Sequence, residues 1–124
     1  MKRFFALFAA LTLLCTRISA QTTACRTETN IAYRNAADDG YVDSLCRLDI
    51  CYPVDRKGFP TVVWFHGGGL TDGRREIPKA LCDKGFAVVG VDYRLAPRVK
   101  VADCVADAAA AAASSTQSAT FTVG

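Results

Sequence analysis

Residues 61–97 read TVVWFHGGGLTDGRREIPKALCDKGFAVVGVDYRLAP, and this stretch decides the fold. Thr61 to Phe65 (TVVWF) is a continuous β-branched and aromatic run with no polar face, which predicts a central strand covered on both sides. Phe86 to Val91 (FAVVGV) repeats that pattern. Between them, Arg75 to Lys84 (REIPKALCDK) has helical character, and Gly85 stands where a helix C-cap glycine belongs. Strand, glycine loop, helix, glycine and strand, in that order, predict a βαβ unit with parallel strands.

Working outward, Thr27 to Tyr33 (TETNIAY) alternates loosely and Leu45 to Tyr52 (LCRLDICY) alternates with one slip. They predict an antiparallel hairpin around the polar turn Asn35 to Asp43 (NAADDGYVD), and Pro53 to Pro60 (PVDRKGFP) is turn chemistry again. Downstream, Val101 to Ala113 (VADCVADAAAAAA) predicts a second helix, because Ala is the strongest helix former. Ser114 to Gly124 (SSTQSATFTVG) carries no charge. It reads as a low-complexity tail, or as a linker running into a short strand at Thr120 to Val123. The fold class expected is α/β: an antiparallel hairpin followed by a parallel βαβ unit.

The first twenty residues, MKRFFALFAALTLLCTRISA, read as an address. Lys2 and Arg3 form a positive start, Phe4 to Cys15 is apolar except for Thr12, and Ile18-Ser19-Ala20 ends on a small residue suited to signal peptidase. The run is too short for a spanning helix, which needs about 20 residues. The rival reading is a buried N-terminal helix, but a run this uniformly apolar has no polar face to show water. Cys15 follows Leu13-Leu14, and a large Leu directly before it does not suit a lipoprotein signal. Residues 1–20 are therefore read as a signal peptide, and the chain is expected to be exported, periplasmic or secreted, and free of the membrane after cleavage.

That reading changes the charge arithmetic. The 124 residues are 51% hydrophobic and carry a formal charge of +3. Lys2, Arg3 and Arg17 lie in the leader; taking these three from the 15 Lys and Arg leaves 12 against 12 Asp and Glu. A neutral mature chain excludes a nucleic-acid or anionic-membrane partner drawn in by bulk charge. The 104 residues left after removing the first 20 of 124 suffice for one small domain.

Export makes disulfides permissible. The mature part keeps Cys25, Cys46, Cys51, Cys82 and Cys104, an odd number, so at least one lacks a partner within the chain. Cys46 and Cys51, five apart on one expected strand, point to opposite faces and do not suit each other. Whether the rest are buried apolar residues or a disulfide framework stays open. The only His is His66 and no CxxC is present, so neither a metal site nor a cofactor is expected.

His66-Gly67-Gly68-Gly69 directly follows the expected strand Thr61 to Phe65. Without side chains the backbone can approach a ligand closely and turn its N–H groups outward. Successive N–H groups aimed at one point form an anion-stabilising nest. In acyl transfer such a nest holds the oxyanion of the tetrahedral intermediate, and losing one donor costs about 3 kcal/mol of barrier.

HGGG after a strand is similar to the oxyanion-loop motif of α/β-hydrolase lipases and esterases. Asp92-Tyr93-Arg94-Leu95-Ala96-Pro97 resembles the DYRLAP element of the hormone-sensitive-lipase-like carboxylesterases. Each motif alone is weak; in the family's order, joined by one helix and one strand, they are specific. The resemblance covers roughly residues 26 to 113 and implies the N-terminal part of an α/β-hydrolase sheet. It implies that Gly67, Gly68 and Gly69 supply oxyanion donors, that His66 packs under the loop, and that Asp92, Tyr93 and Arg94 brace it. For Asp92 and Arg94 the rival is an ordinary surface ion pair of little worth.

The same family needs a Ser at a G-x-S-x-G elbow, then Asp or Glu, then His. These 124 residues contain no G-x-S-x-G and no His after His66, so no catalytic triad is expected in this chain. The resemblance thus implies an incomplete domain in three parts: the leader at 1–20, hydrolase sequence at 21–113, and a divergent tail at 114–124. A gene cut short and a frameshift after Ala113 both fit, and the abrupt loss of charge after Ala113 favours the frameshift. The expected function is that of a truncated, exported carboxylesterase acting, when complete, on small-molecule or polysaccharide-linked esters. Acetyl or feruloyl groups are the guess that export and family habit suggest. The competing class is a small non-catalytic binding module closed by a Cys25–Cys51 disulfide. An open sheet edge predicts that the isolated chain is partly unfolded or aggregates.

Overall fold

The computed structural model describes residues 24–121; residues 1–20, read as a signal peptide, lie outside them. Four strands form one sheet in the order β1-β2-β4-β3, with β1 at Cys25–Ala32, β2 at Arg47–Pro53, β3 at Thr61–Phe65 and β4 at Ala87–Val91. β1 pairs antiparallel with β2, with a register shift between Glu28 and Ile31, and β2 pairs antiparallel with β4. β3 and β4 run parallel, Val63 opposite Val89. The expected hairpin and parallel pair are both present, so the fold is a mixed α/β sheet.

Alternation along β2 sorts its side chains. Leu48, Ile50 and Tyr52 join Ala87, Val89 and Val91 of β4 in a buried cluster that Ala111 of the long C-terminal helix covers. Asp49 and Cys51 point to the opposite face, opposite Gly90 and Val88. Every residue of β4 is buried, while Trp64 and Phe65 of β3 are exposed. β4, not β3, is therefore the strand covered on both sides. Among the described residues β3 is an edge.

The expected helix over Arg75 to Lys84 is replaced by a single 3-10 turn, Lys79–Leu81. Pro78 lies inside that stretch, lacks an N–H and pushes Ile77 out of helical geometry. The Arg75 backbone N–H is turned to Asp92 instead of into a helix. The crossover lies flat on the sheet, and a Cβ at Gly90 would come within 2.2 Å of the Glu76 carbonyl oxygen. Only a residue without a side chain admits so close an approach.

Two helices flank the sheet. α1, Gly40–Leu45, occupies part of the expected polar turn, because the Asp39 carboxylate caps it by accepting from the N–H groups of Tyr41 and Val42. α2, Val101–Phe121, runs past Ala113 through much of the segment expected to be a tail. Ser115 and Thr116 are helical, with their hydroxyls donating to the carbonyls of Ala111 (2.7 Å) and Ala112 (3.0 Å) one turn earlier instead of competing for backbone groups outside the helix. Thr120 and Phe121 are thus helical where a short strand was expected; the rest of that strand lies outside the described residues.

One carboxylate fixes α2 to the end of β4. Asp107 is fully buried, and its oxygens accept from Arg94 Nε (2.7 Å), Arg94 Nη2 (2.9 Å) and the Arg94 backbone N–H (3.2 Å). Arg34 Nε lies 3.0 Å from Asp107 Oδ1 as a second cation, without hydrogen-bond alignment. Burial alone pushes the carboxyl up, but the hydrogen bonds and charge of Arg94, aided by Arg34, outweigh it and hold Asp107 below the ordinary carboxylate range. Its contribution is complete above that range and is lost as pH falls through the lowered value. Asp107→Ala should cost about 3 kcal/mol in urea unfolding followed by helical circular dichroism. Asp43→Ala, which breaks an exposed pair with Arg47, should cost less than about 1 kcal/mol. Equal costs would remove Asp107 from this role.

Candidate functional site

The chain leaves the C-terminal end of β3 as His66 and then three exposed glycines. Gly68 has φ +120°, and a Cβ there would sit 2.0 Å from the Asp72 carbonyl oxygen. The turn is closed on the Gly68 carbonyl, which accepts from the N–H groups of Thr71 (3.1 Å) and Asp72 (3.2 Å) and from the Thr71 hydroxyl. Gly73 brings the returning chain over His66: with φ +111°, a Cβ there would meet His66 Nδ1 at 2.2 Å. Among the described residues, the N–H groups of Gly67, Gly68 and Gly69 donate to no protein acceptor. Three adjacent donors thus stand free at the end of a parallel strand.

His66 lies beneath them. It is buried, and its ring stacks on Tyr93 with centroids 4.5 Å apart and planes 6° from parallel. Its Nδ1 is 2.7 Å from the Gly67 carbonyl oxygen. A carbonyl only accepts, so Nδ1 carries the hydrogen. The other nitrogen, Nε2, lies 3.6 Å from Asp92 Oδ1, beyond hydrogen-bond distance. The imidazole is packed as a floor and is not turned to the open side of the loop.

The residues after β4 hold the loop from below. The Tyr93 hydroxyl donates to the His66 carbonyl at 2.9 Å, and the Ala96 N–H donates to the Leu70 carbonyl at 2.8 Å. Burial pushes the Tyr93 phenol up, which keeps it a donor. Asp92 Oδ2 accepts from Arg75 Nη1 at 2.6 Å, and Oδ1 accepts from the Arg75 N–H. Arg75 Nε also reaches Asp49 on β2 at 2.9 Å. Burial opposes the Arg75 charge, but its bonds to Asp49 and Asp92 outweigh that and raise its pKa.

Six of the seven expected site residues, His66 to Gly69 with Asp92 and Tyr93, therefore come together at one end of the sheet. Arg94 does not join them. Its guanidinium is turned to Asp107 on α2, because a buried carboxylate needs a partner that the exposed loop carbonyls do not. Arg94 acts on α2, and the expectation that it touches the loop is corrected.

Four contributors were not singled out from sequence. Arg75 sat in a stretch read as helix. Asp107 sat in an Ala run, where a single acid among apolar residues on a core-facing helix was the available signal. The Tyr33 hydroxyl donates to the Asp92 carbonyl at 2.8 Å, and the Leu95 N–H donates to the Tyr41 hydroxyl at 3.1 Å. Neither tyrosine carried a pattern.

Two hollows flank the site. A charged groove of about 510 Å³ is lined by Asp49, Arg74, Arg75, Glu76 and Asp92. An apolar hollow of about 130 Å³ is lined by Phe65, Leu70, Tyr93, Cys104, Val105 and Ala108. The second borders the glycine loop, through Leu70. No group of three or more His, Cys, Asp or Glu among the described residues is placed to hold a metal ion.

Residues 48–119, more than half of the chain, match the BD-FAE family. The crystal structure of esterase B from Lactobacillus rhamnosis is similar at 33% identity and TM-score 0.58, over 69% of this chain and 28% of that one. A truncated carbohydrate esterase from gut microbiota shares the fold at 23% identity and TM-score 0.54, over 73% of this chain and 32% of that one. A non-reducing polyketide synthase of Penicillium brevicompactum is 44% identical over 66 residues, 46% of this chain and 3% of that protein. The chain thus spans under a third of the length of each of these relatives. With two motifs at one sheet end, a shared fold and a family match over most of the described sheet, the chain belongs to the BD-FAE family of esterase-type α/β-hydrolases.

Proposed function

We propose that this chain is the oxyanion-loop portion of an exported carboxylesterase. The observation that carries the reading is the trio of free N–H groups at Gly67, Gly68 and Gly69, fixed from beneath by Tyr93 and Ala96. In ester hydrolysis the carbonyl oxygen of the substrate gains negative charge as a nucleophile adds to the carbon. Donors already aimed at that oxygen lower the barrier without reorganising. His66 cannot serve as base from a buried ring stacked under the loop. The Ser nucleophile, its His base and the acid therefore come from residues other than these 124, and this chain by itself does not turn over esters.

The substrate class is a carboxylic ester, small or linked to polysaccharide. Esterase B of Lactobacillus rhamnosis has been solved inhibited by a tributyrin phosphonate, which supports a small acyl ester as the first substrate to try. Residues 1–20 support export, with acetyl or feruloyl esters of plant polysaccharide as the exported enzyme's targets.

Two observations test this. The purified chain should give no hydrolysis of a p-nitrophenyl ester above blank; clear turnover that Gly68→Pro abolishes overturns the inactive reading. Translating the nucleotides after codon 113 in all three frames should reveal G-x-S-x-G followed by an Asp or Glu and a His. A search that finds none overturns the proposal that a complete esterase lies behind this sequence.

A further inference from the structure

Three of the cysteines converge on the sheet face opposite α2. Cys25 of β1 stands opposite Pro53, and Thr27 stands opposite Cys51. Cys25 and Cys51 are therefore diagonal neighbours whose side chains share a face. Cys82 ends the 3-10 turn of the crossover that covers this face, its Sγ donating to the Pro78 carbonyl at 3.6 Å, and both Cys25 and Cys82 have Cys51 as an electrostatic neighbour. All three are free thiols. Cys51 is buried, while Cys25 and Cys82 are half-buried and open to a reagent.

The two neighbours of Cys51 are not equivalent. A diagonal pair in an antiparallel ladder has its Cα atoms about 7–8 Å apart, and a disulfide needs roughly 4.4–6.8 Å. Ladder hydrogen bonds on both sides resist closing that gap. Cys82 sits in an irregular segment with no ladder to break. Cys46 and Cys104 are both buried away from this cluster, Cys46 beside Tyr33 and Cys104 against the Lys100 carbonyl.

We propose that Cys51 and Cys82 are a disulfide site that staples the β3–β4 crossover to β2. The oxidant is a low-molecular-weight disulfide such as oxidised glutathione. The more accessible Cys82 thiolate attacks one sulfur of that disulfide and releases one glutathione thiolate, which takes up the proton Cys82 gave up. The Cys51 thiolate then attacks Cys82 Sγ, forming the Sγ–Sγ bond and releasing the second glutathione as thiol. Two protein thiols are oxidised and one glutathione disulfide is reduced to two thiols. Cys25 is the weaker competitor because the β1–β2 ladder holds it at diagonal spacing; burial pushes the thiols of both Cys25 and Cys82 up and does not choose between them. The staple holds down the segment that carries Arg75, and through it Asp92. It does not depend on the esterase reading.

The whole chain supplies the test. Trypsin cuts after Arg26, Arg34, Arg47, Arg56, Lys79, Lys84 and Lys100, and so places the five mature cysteines in five separate peptides. After oxidation with glutathione disulfide and digestion without reductant, mass spectrometry should find Leu48–Arg56 joined to Ala80–Lys84 as the main cross-link. Cys82→Ser should abolish it and Cys25→Ser should leave it in place. The same oxidation in denaturing urea should scatter cross-links over all pairs, which shows that the native selectivity comes from the fold. A native map dominated by Cys25–Cys51, scattered as in urea, or without any cross-link overturns the proposal.

Discussion

A carboxylate with no contact with water needs a cation, and the Asp107–Arg94 pair is the constraint on which the rest of this molecule depends. Removing Asp107 leaves the Arg94 guanidinium without its partner, and removing Arg94 leaves the buried carboxylate only the unaligned Arg34, so the two elements that carry them cannot drift apart without a large penalty. Asp107 belongs to the helix that covers the core cluster, and Arg94 to the chain just beyond the fully buried β4. The ion pair therefore fixes both the helix and the path of residues 92–97.

Those six residues act as a hub. On one side they are gripped by Tyr33 at the Asp92 carbonyl, by Tyr41 at the Leu95 N–H and by Asp107 at Arg94. On the other side they grip the glycine loop, through Tyr93 at the His66 carbonyl and Ala96 at the Leu70 carbonyl. Asp92 extends the grip to the crossover through Arg75. The carbonyls of His66, Gly67, Gly68 and Leu70 are held and the glycine N–H groups are left free. That division suits a loop whose donors receive transient negative charge.

The sequence made the sheet legible because β-branched runs and glycine punctuation are local signals. TVVWF, FAVVGV and the alternating pair before them each mark a strand without reference to anything distant. HGGG was legible as a glycine turn for the same reason, since Gly68 and Gly69 take positive φ, +120° and +62°. What stayed hidden is long-range. The crossover helix fails at Pro78 and because Arg75 answers to Asp92, 17 residues away. Which strand is covered twice depended on pairing order, which TVVWF and FAVVGV cannot distinguish. α2 continues beyond its Ala run, with Ser115 and Thr116 donating back to the preceding turn, where composition alone suggested a tail. Arg94 was assigned to the loop by motif, and a partner 13 residues downstream claims it.

The carbonyls of His66, Gly67, Gly68 and Leu70 are bound and the three glycine N–H groups are not. Residue-resolved amide hydrogen exchange on the folded chain measures this directly, because hydrogen-bonded amides are protected and free ones are not. The account predicts protection at Thr71, Asp72 and Ala96, with rapid exchange at Gly67, Gly68 and Gly69. Protection of the three glycine amides, together with rapid exchange at Ala96, would contradict it.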